Sequence, residues 1–322
     1  MIRVAWLAAA LAVGAAVVPG VALAATVSPA APAPGTAVIR GTVHNATTGR
    51  PEAGVPLDLV SIGPQGAEPA GRTRSDAAGR FAFAGIGPGR YLVTARHQGI
   101  AYSTHAVVEG PSAEVTVRVY DAAVGVPLRM TLLGVAVEVR PGYVRVTEVV
   151  HLHNGAMRTF LGEITFALPA AARFVVFGAG LHQPRVTEAG IQDRLVVRPG
   201  GHQLTYQYAV RGAGVVALHR RLSLPADRIE LFVTAPGEAR SPRLHPLPSV
   251  VEDGVVYARA SARDAAPGEF PLEIAGVPSA GLWRAPLAAG VLAALLVAGL
   301  AAVAARAGSR LGGGEPQGAQ NP

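Results

Sequence analysis

Residues 73–83, with the sequence TRSDAAGRFAF, contain a tight turn followed by a short strand. Asp76 can cap this turn by accepting hydrogen bonds from its backbone, and Gly79 can adopt the positive φ that the turn needs. After the turn, Phe81 and Phe83 alternate with an arginine and an alanine, so the two aromatic rings share one face of an extended chain. The segment therefore predicts β-structure with one buried face.

Runs with the same alternation continue on both sides of this turn, separated by turn residues. In the first run, Ile39 and Val43 share a face that is opposite to Arg40 and Thr42. Seven short strands without a helical period predict an antiparallel β-sandwich. The seven predicted strands are residues 37–44, 55–61, 71–75, 80–84, 90–97, 100–107 and 114–119.

Short motifs around these strands occur in a characteristic order. They are GTV at 41–43, TGRP at 48–51, GVPL at 54–57, the turn segment itself, and GPGRY at 87–91. In this order and spacing, residues 37–119 resemble the carboxypeptidase regulatory-like domain. The resemblance implies a seven-stranded, transthyretin-like β-sandwich that is non-catalytic in its own right and is grouped with carbohydrate-binding and peptide-binding modules. The zinc peptidase that such domains accompany is not expected, since no His is followed by Glu at the third position.

The β pattern continues through residues 120–276, where turn signals such as Asn154-Gly155 divide the runs. We predict a second, Ig-like sandwich of eight to ten antiparallel strands, so residues 37–276 are expected to be all-β with two tandem domains. The predicted strands are residues 132–139, 143–153, 162–168, 174–177, 194–198, 203–210, 215–224, 228–234, 255–260 and 270–274.

The N-terminus has the pattern of a secretory signal peptide. Residues 1–24 begin with Arg3, continue as an uncharged apolar run and close with an Ala-Leu-Ala sequence, so cleavage is expected after Ala24. Residues 25–36 are rich in Pro and Ala and predict an extended linker before the first domain. This signal predicts that both β-domains are extracytoplasmic.

The C-terminal region predicts a single membrane span. Residues 287–305 contain only Ala, Leu, Val and Gly, and are just long enough to cross a bilayer as a helix. Residues 277–286 would form a juxtamembrane linker, and the arginines of the tail at 306–322 favour a cytoplasmic C-terminus. We therefore expect a single-pass protein of the cytoplasmic membrane. Small residues recur every four positions from Gly290, which leaves open a homodimer through this helix.

The residue types exclude several kinds of chemistry. All 28 basic residues are Arg and Cys is absent, so P-loops, Schiff-base lysines, disulfides and thiolate metal sites are excluded. No nucleophile elbow or His-Glu-x-x-His motif occurs, and the Gly-rich residues 85–89 read as a turn between strands, so neither an enzyme nor a cofactor is expected. Nucleic acid is not expected as a partner, given the export signal and an aromatic content of 5%.

Two histidines are candidate metal ligands. His151 and His153 lie two positions apart in one predicted strand, so both imidazoles would point to the same face. A third ligand would have to come from His182 or His202, whose distance the sequence does not give. The alternative is a solvated strand end that runs into the following turn.

Other polar groups could contact a ligand. The basic clusters at 219–221 and 240–245 could bind an anionic polymer or lipid headgroups, or could be solvated charges at strand edges. A sugar could stack on exposed tyrosines in a shallow contact. Asn45-Ala46-Thr47 has the form of a glycosylation sequon, but is interpreted as strand-end chemistry. The candidate stacking residues are Tyr102, Tyr120, Tyr206, Tyr208 and Tyr257.

These observations predict a non-enzymatic, membrane-anchored binding, adhesion or envelope-assembly protein. Its expected partner is an envelope polymer, either a polysaccharide or cell wall, and binding to it could be weak. The alternative is an accessory or sensor subunit whose span contacts a membrane protein partner. A hydrolase would require a Ser, a His and a carboxylate to meet in one cleft.

Overall fold

The computed structural model describes residues 35–280, which contain 24 strands and no helix. In this part of the chain, accordingly, no helix is long and apolar enough to cross a membrane. The predicted signal peptide, membrane span and cytoplasmic tail lie outside the described residues. The all-β prediction is therefore confirmed for the part of the chain that the structure describes.

The first domain contains eight strands, one more than predicted, because Arg50–Pro51 forms a two-residue strand of its own. The strands are β1 (Ala37–Asn45), β2 (Arg50–Pro51), β3 (Pro56–Gly63), β4 (Gly66–Arg74), β5 (Arg80–Ile86), β6 (Gly89–His97), β7 (Ile100–Val108) and β8 (Ser112–Val119).

Two sheets enclose the core of the first domain. One contains β2, β1 and β5 with β8 on the free side of β1, and the other has the order β4-β3-β6-β7. Ile39, Val43 and Val93 are fully buried between them. The prediction of a wholly antiparallel domain is wrong at one ladder, because β8 runs parallel to β1. After β7 the chain passes from one sheet to the other, and this crossing brings β8 alongside β1 in the same direction.

The tight turn at residues 76–79 forms as predicted. The Asp76 carboxylate oxygen Oδ1 accepts hydrogen bonds from the backbone N–H groups of Ala78 at 2.9 Å and Arg80 at 2.8 Å. Gly79 has a φ of 73°. Both features agree with the roles that the sequence assigned to these residues.

The second domain contains sixteen strands, so the predicted number of eight to ten is too low. The predicted runs at 215–224 and 270–274 each span two strands, and the strands Ala122–Ala123, Arg185–Thr187, Glu238–Arg240 and His245–Glu252 were not predicted. The strands are β9 (Ala122–Ala123), β10 (Leu128–Arg140), β11 (Tyr143–Asn154), β12 (Thr159–Phe166), β13 (Ala172–Phe177), β14 (Arg185–Thr187), β15 (Gly190–Val197), β16 (Gly200–Arg211), β17 (Gly214–Ala217), β18 (Arg220–Leu222), β19 (Ala226–Thr234), β20 (Glu238–Arg240), β21 (His245–Glu252), β22 (Val255–Ala265), β23 (Gly268–Phe270) and β24 (Glu273–Val277).

One large sheet organises this domain. Its seven strands have the order β13-β16-β11-β10-β19-β22-β21, which is more strands than either sheet of an Ig sandwich contains. Three smaller sheets, β14-β15-β12-β9, β17-β24-β20 and β18-β23, complete the domain, and its core includes Val146, Leu195 and Leu231. The ladder between β10 and β19 is parallel, so the antiparallel prediction is wrong here too. The reason is the long crossover connection, because β11 to β18 lie between β10 and β19 along the chain.

A polar junction joins the two domains. Asn45, at the end of β1, is 1% exposed and donates hydrogen bonds to Glu52 at 3.0 Å and to Asp121 at 2.8 Å. His97 Nε2 lies 3.0 Å from the same Asp121 carboxylate. Across the boundary, the Tyr102 hydroxyl lies 2.8 Å from that of Thr159. Burial of Asn45 agrees with the strand-end interpretation of the sequon.

Acid is expected to destabilise this junction. Hydrogen bonds from His97 and Asn45 hold the pKa of Asp121 below its usual value. A carboxylate with a depressed folded-state pKa stabilises the fold above its unfolded pKa of about 3.9, and this stabilisation is lost as the pH falls through the folded value. Thermal unfolding between about pH 5 and about pH 2 should therefore show a steeper fall for the wild type than for Asp121→Asn. Asp253→Asn, in an exposed turn, is the control and should behave as the wild type.

Candidate binding cleft

An open cleft of about 830 Å³ lies on the first domain, over strands β1, β5 and β8. Three arginines, three threonines and two carboxylates give it a polar lining with an excess of positive charge. The lining residues are Arg40, Gly41, Thr42, Thr73, Arg74, Asp76, Arg80, Phe81, Ala82, Glu114, Val115 and Thr116.

Strand alternation places these side chains in the cleft. Arg40 and Thr42 are the outward positions of β1, whose inward residues are buried in the core. In the register of the sheet, Arg40 lies between Ala82 of β5 and Glu114 of β8. Because Ala82 is small, the space beside the Arg40 guanidinium stays open.

Glycine at position 41 allows the strands beneath the cleft to pack closely. A Cβ atom on Gly41 would lie 2.1 Å from the carbonyl oxygen of Val115 and 2.6 Å from the ring of Phe81. Both distances are far shorter than van der Waals contact, so no other residue fits without movement of β1 or β8. The close packing of β1 against β8 thus explains the glycine of the GTV motif at 41–43.

The three arginines of the cleft differ in their partners. The Arg80 Nε atom lies 2.9 Å from the Asp76 carboxylate, and Arg74 donates to the carbonyl oxygen of Gly54 at 2.9 Å. The side chain of Arg40 makes no hydrogen bond or ion pair within residues 35–280. Its guanidinium is therefore the cation in this cleft that is available to a ligand.

The side chains of the cleft are of kinds that can bind an anionic group. A guanidinium can donate two parallel hydrogen bonds to a carboxylate, sulfate or phosphate, and the neighbouring hydroxyls of Thr42 and Thr116 can donate or accept. Among the described residues that line the cleft there is no His.

The structure supports one part of the histidine hypothesis and corrects another. His151 and His153 share the outer face of the main sheet, where their partners across β16 are Gln203 and Gly201. His202 pairs with the buried Leu152 and so lies on the opposite face, which makes it wrong as the third ligand. The reason is the register between β11 and β16, which the sequence does not reveal.

His182 is not a third ligand either. Its ring stacks on that of His202, with the centroids 6.2 Å apart, on the side of the sheet away from His151. Within residues 35–280 no group of three or more His, Asp or Glu is arranged to hold a metal. His151 is partly buried, burial lowers its pKa, and its Nε2 atom has no hydrogen-bond partner among the described residues.

The tyrosines proposed as sugar-stacking faces are not exposed. Tyr102, Tyr206, Tyr208 and Tyr257 are all at most 3% exposed, and Tyr120 is partly buried. The prediction is wrong because each of the four buried rings lies at a core-facing or covered position of its strand. None of these five tyrosines therefore offers an exposed platform for a sugar.

The basic cluster at 219–221 is also corrected. His219 and Arg221 are exposed as expected, but Arg220 between them is 5% exposed and points into the second domain. The cluster at 240–245 does lie at the surface, with Arg240 and Arg243 both exposed.

Arg220 belongs to a buried polar network that the sequence analysis missed. Its Nη1 atom donates to the Glu148 carboxylate, and its Nη2 atom lies 3.0 Å from the Tyr208 hydroxyl. The hydroxyls of Tyr206 and Tyr208 each donate to Glu148 at 2.8 Å. Burial raises the pKa of both tyrosines well above the usual value, so both stay protonated as donors.

The network is completely enclosed. Glu148 and Arg220 have side chains that are 1% and 4% exposed. A signal for it exists in the sequence, since Glu148 occupies an inward position of β11 between Val146 and Val150. A carboxylate in a core-facing row requires a buried partner.

Comparison with known families agrees with the first domain. Residues 38–122 match the family model of the carboxypeptidase regulatory-like domain. No curated protein matches the chain significantly. The family match covers the strands β1 to β8 and confirms the resemblance to this domain.

Solved structures of low similarity share parts of the chain. A 5-hydroxyisourate hydrolase from Klebsiella pneumoniae is 19% identical over 26% of this chain and 90% of that chain, with a TM-score of 0.23. A candidate carbohydrate binding protein from Pseudomonas aeruginosa is 16% identical over 28% and 92%, with a TM-score of 0.21. An M1 zinc metallopeptidase from Deinococcus radiodurans is 12% identical over 46% and 42%, with a TM-score of 0.32.

These structural likenesses carry no argument about activity, because the identities and TM-scores are low. The family match does not depend on them, and it extends over one part of the chain with the strand order described above. Residues 38–122 therefore match the carboxypeptidase regulatory-like domain in sequence.

Proposed function

We propose that this chain is a non-enzymatic, membrane-anchored envelope protein whose first domain binds an anionic envelope polymer through the cleft around Arg40. The observation that carries the proposal is the unpaired Arg40 guanidinium in an open cleft of about 830 Å³. An open cleft suits a polymer, which must extend beyond the residues that it contacts.

The charge of the ligand follows from the lining. Arginine recognises carboxylate, sulfate and phosphate groups through two hydrogen bonds, whereas a neutral sugar needs an aromatic face. The tyrosines of the described domains are buried or partly buried, and the cleft's Phe81 is 5% exposed. Uronic acids, sulfated sugars or polymer phosphates are thus better ligands for this site than neutral sugars.

The proposed location of the protein, anchored in the membrane with its domains outside the cytoplasm, rests on the sequence. The signal peptide at 1–24 and the apolar segment at 287–305 support export followed by anchoring, with the cleft outside the cytoplasm. The type of the first domain supports a binding role, because the carboxypeptidase regulatory-like domain that it resembles is non-catalytic.

Co-sedimentation tests the proposal directly. The purified protein is mixed with isolated cell-wall and surface polysaccharide fractions at low and moderate salt. Saturable binding that persists at moderate salt supports a specific polymer site, because exposed charges are screened within about 10 Å at 0.1 M salt. Binding that disappears with salt, or no binding to any fraction, rejects it.

Arg40→Gln is expected to weaken polymer binding about tenfold, because a hydrogen bond to a charged group contributes roughly 1.5–3 kcal/mol. The affinity is measured by titration calorimetry with the fraction that sediments the protein. Arg96→Gln is the matched control, since Arg96 is an exposed arginine on the other sheet, 3.3 Å from Asp58. Equal losses in the two variants would show that binding depends on net charge and not on the cleft.

A further inference from the structure

The end of the described chain lies at one end of the main sheet. Gly142, in the turn between β10 and β11, donates from its backbone N–H to the carbonyl oxygen of Pro278 at 2.8 Å. A Cβ on Gly142 would lie 2.7 Å from the Cβ of Ala280, so the chain leaves the domain directly at this turn. The first domain contacts the opposite end of β11, near Asn154 and Thr159.

The proposed span begins a few residues after this point. Position 287 is seven residues beyond Ala280, and seven extended residues reach about 25 Å at most. In a membrane-anchored chain, the turn at Gly142 therefore lies within about 25 Å of the bilayer. Side chains exposed at this end of the sheet would therefore lie within reach of the lipid headgroups.

An apolar groove opens beside the same turn. It has a volume of about 450 Å³ and lies over the outer face of β11, β16 and β13. Tyr143 and Arg211, which pair at the end of β11 and β16, lie at one side of it. Phe174 and Val176 of β13 form the other side. We call this site the exit groove.

Two apolar side chains of the exit groove are strongly exposed. Phe174 is 72% exposed and Val176 is 58% exposed. Phe174 also has a φ of 54° within a bulge of β13, a conformation that bulky residues rarely adopt. The fold thus holds an aromatic ring in water by means of an unfavourable backbone conformation, a combination that recurs at ligand-binding sites.

Arginines surround these apolar side chains. Arg145 and Arg211 line the exit groove, and Arg173 precedes Phe174 in β13. Glu138 pairs with Arg145 at 3.3 Å, while Arg211 has no ion pair within residues 35–280. Aromatic rings beside arginines are the composition of surfaces that lie in an anionic membrane interface.

We propose that the exit groove docks on the anionic headgroup surface of the membrane, with Phe174 inserted at the interface and Arg211 bound to lipid phosphates. The proposal rests on the membrane anchor of the proposed function, but not on polymer binding. Lipid is chosen over a protein partner because the short tether brings this face to the bilayer itself. Docking would also fix the second domain relative to the membrane.

The absence of Cys makes a single-label test direct. The full chain with Val176→Cys carries an environment-sensitive fluorophore, and is reconstituted into nanodiscs of phosphatidylglycerol and phosphatidylcholine that contain a lipid-borne nitroxide quencher. Val107→Cys is the matched control, because Val107 is 51% exposed and lies in the first domain. We expect at least threefold stronger quenching at position 176 than at position 107.

Two further variants test the residues that the proposal names. Phe174→Ser and Arg211→Gln, each in the Val176→Cys background, should reduce the quenching to the level of the control. Because both side chains are exposed, neither change is expected to affect folding. Unchanged quenching in both variants would overturn the assigned roles.

The outcomes separate this inference from the proposed function. If the chain does not enter nanodiscs, the anchor is wrong and the docking with it, while polymer binding stands on its own test. If the chain enters nanodiscs but position 176 is quenched no more than position 107, the docking alone is rejected. Strong quenching at 176 that also occurs in discs of pure phosphatidylcholine would reject the role of lipid charge.

Discussion

Replacing Arg220 by Met is expected to lower the free energy of unfolding by about 3–5 kcal/mol. The substitution removes the cation but leaves the Glu148 carboxylate buried, with only the hydroxyls of Tyr206 and Tyr208 to solvate it. Removing one partner of a buried ion pair is far more damaging than removing both, because an uncompensated charge remains in the core. Urea denaturation followed by circular dichroism measures the loss.

The neighbouring arginine provides the control. Arg221→Met, on the same strand but exposed, should change the stability by no more than about 0.5 kcal/mol. The double variant Arg220→Met with Glu148→Leu should recover most of the loss, because apolar residues of similar volume can replace a buried pair. Equal losses in the single and double variants would show that packing, and not the unpaired charge, is responsible.

The network also connects separate parts of the second domain. Arg220 belongs to β18, which pairs with β23 in a two-stranded sheet, whereas Glu148 lies in the middle of the seven-stranded sheet. The β18–β23 pair has a short ladder, so its position on the main sheet depends on side-chain contacts. We expect the ion pair at this contact to specify that position more narrowly than apolar packing alone would.

The fold of the first domain was predictable because its signals are local. Residues 73–83 specify a turn and an alternating strand within eleven residues, and both form as expected. The parallel pairing of β8 with β1 was not predictable, since these strands are about seventy residues apart and alternation does not encode direction.

In the candidate sites, too, local sequence predicts which way a side chain points but not which side chains become neighbours. Alternation identifies Arg40 as an outward side chain, but the cleft arises only when Arg40, Ala82 and Glu114 become neighbours on three strands. Whether His202 could serve as a third metal ligand depended on whether it shares a face with His151, and this is decided by a cross-strand register. Residue type alone was a weaker guide to exposure, because it suggested exposed tyrosines at positions that the strands place in the core.

Replacing Gly41 by Ala is expected to destabilise the first domain by about 3 kcal/mol, at the upper end of the usual effect of overpacking. The added Cβ would lie 2.1 Å from the Val115 carbonyl oxygen, and a backbone atom in a parallel ladder cannot move aside as a side chain can. In a chain of this size the change corresponds to a fall in the melting temperature of roughly 6–12 °C. Thermal unfolding followed by circular dichroism measures it.

Gly63→Ala is the matched control, because Gly63 is also a strand residue without a positive φ and has open space around its Cβ position. Its melting temperature should stay within about 2 °C of the wild type, since exposed substitutions change stability by no more than about 0.5 kcal/mol. The floor of the cleft depends on the same contact, so a Gly41→Ala protein that stays folded should also bind the polymer more weakly. Wild-type stability in Gly41→Ala would mean that β1 and β8 are further apart than described, and that the lining of the cleft must be reassigned.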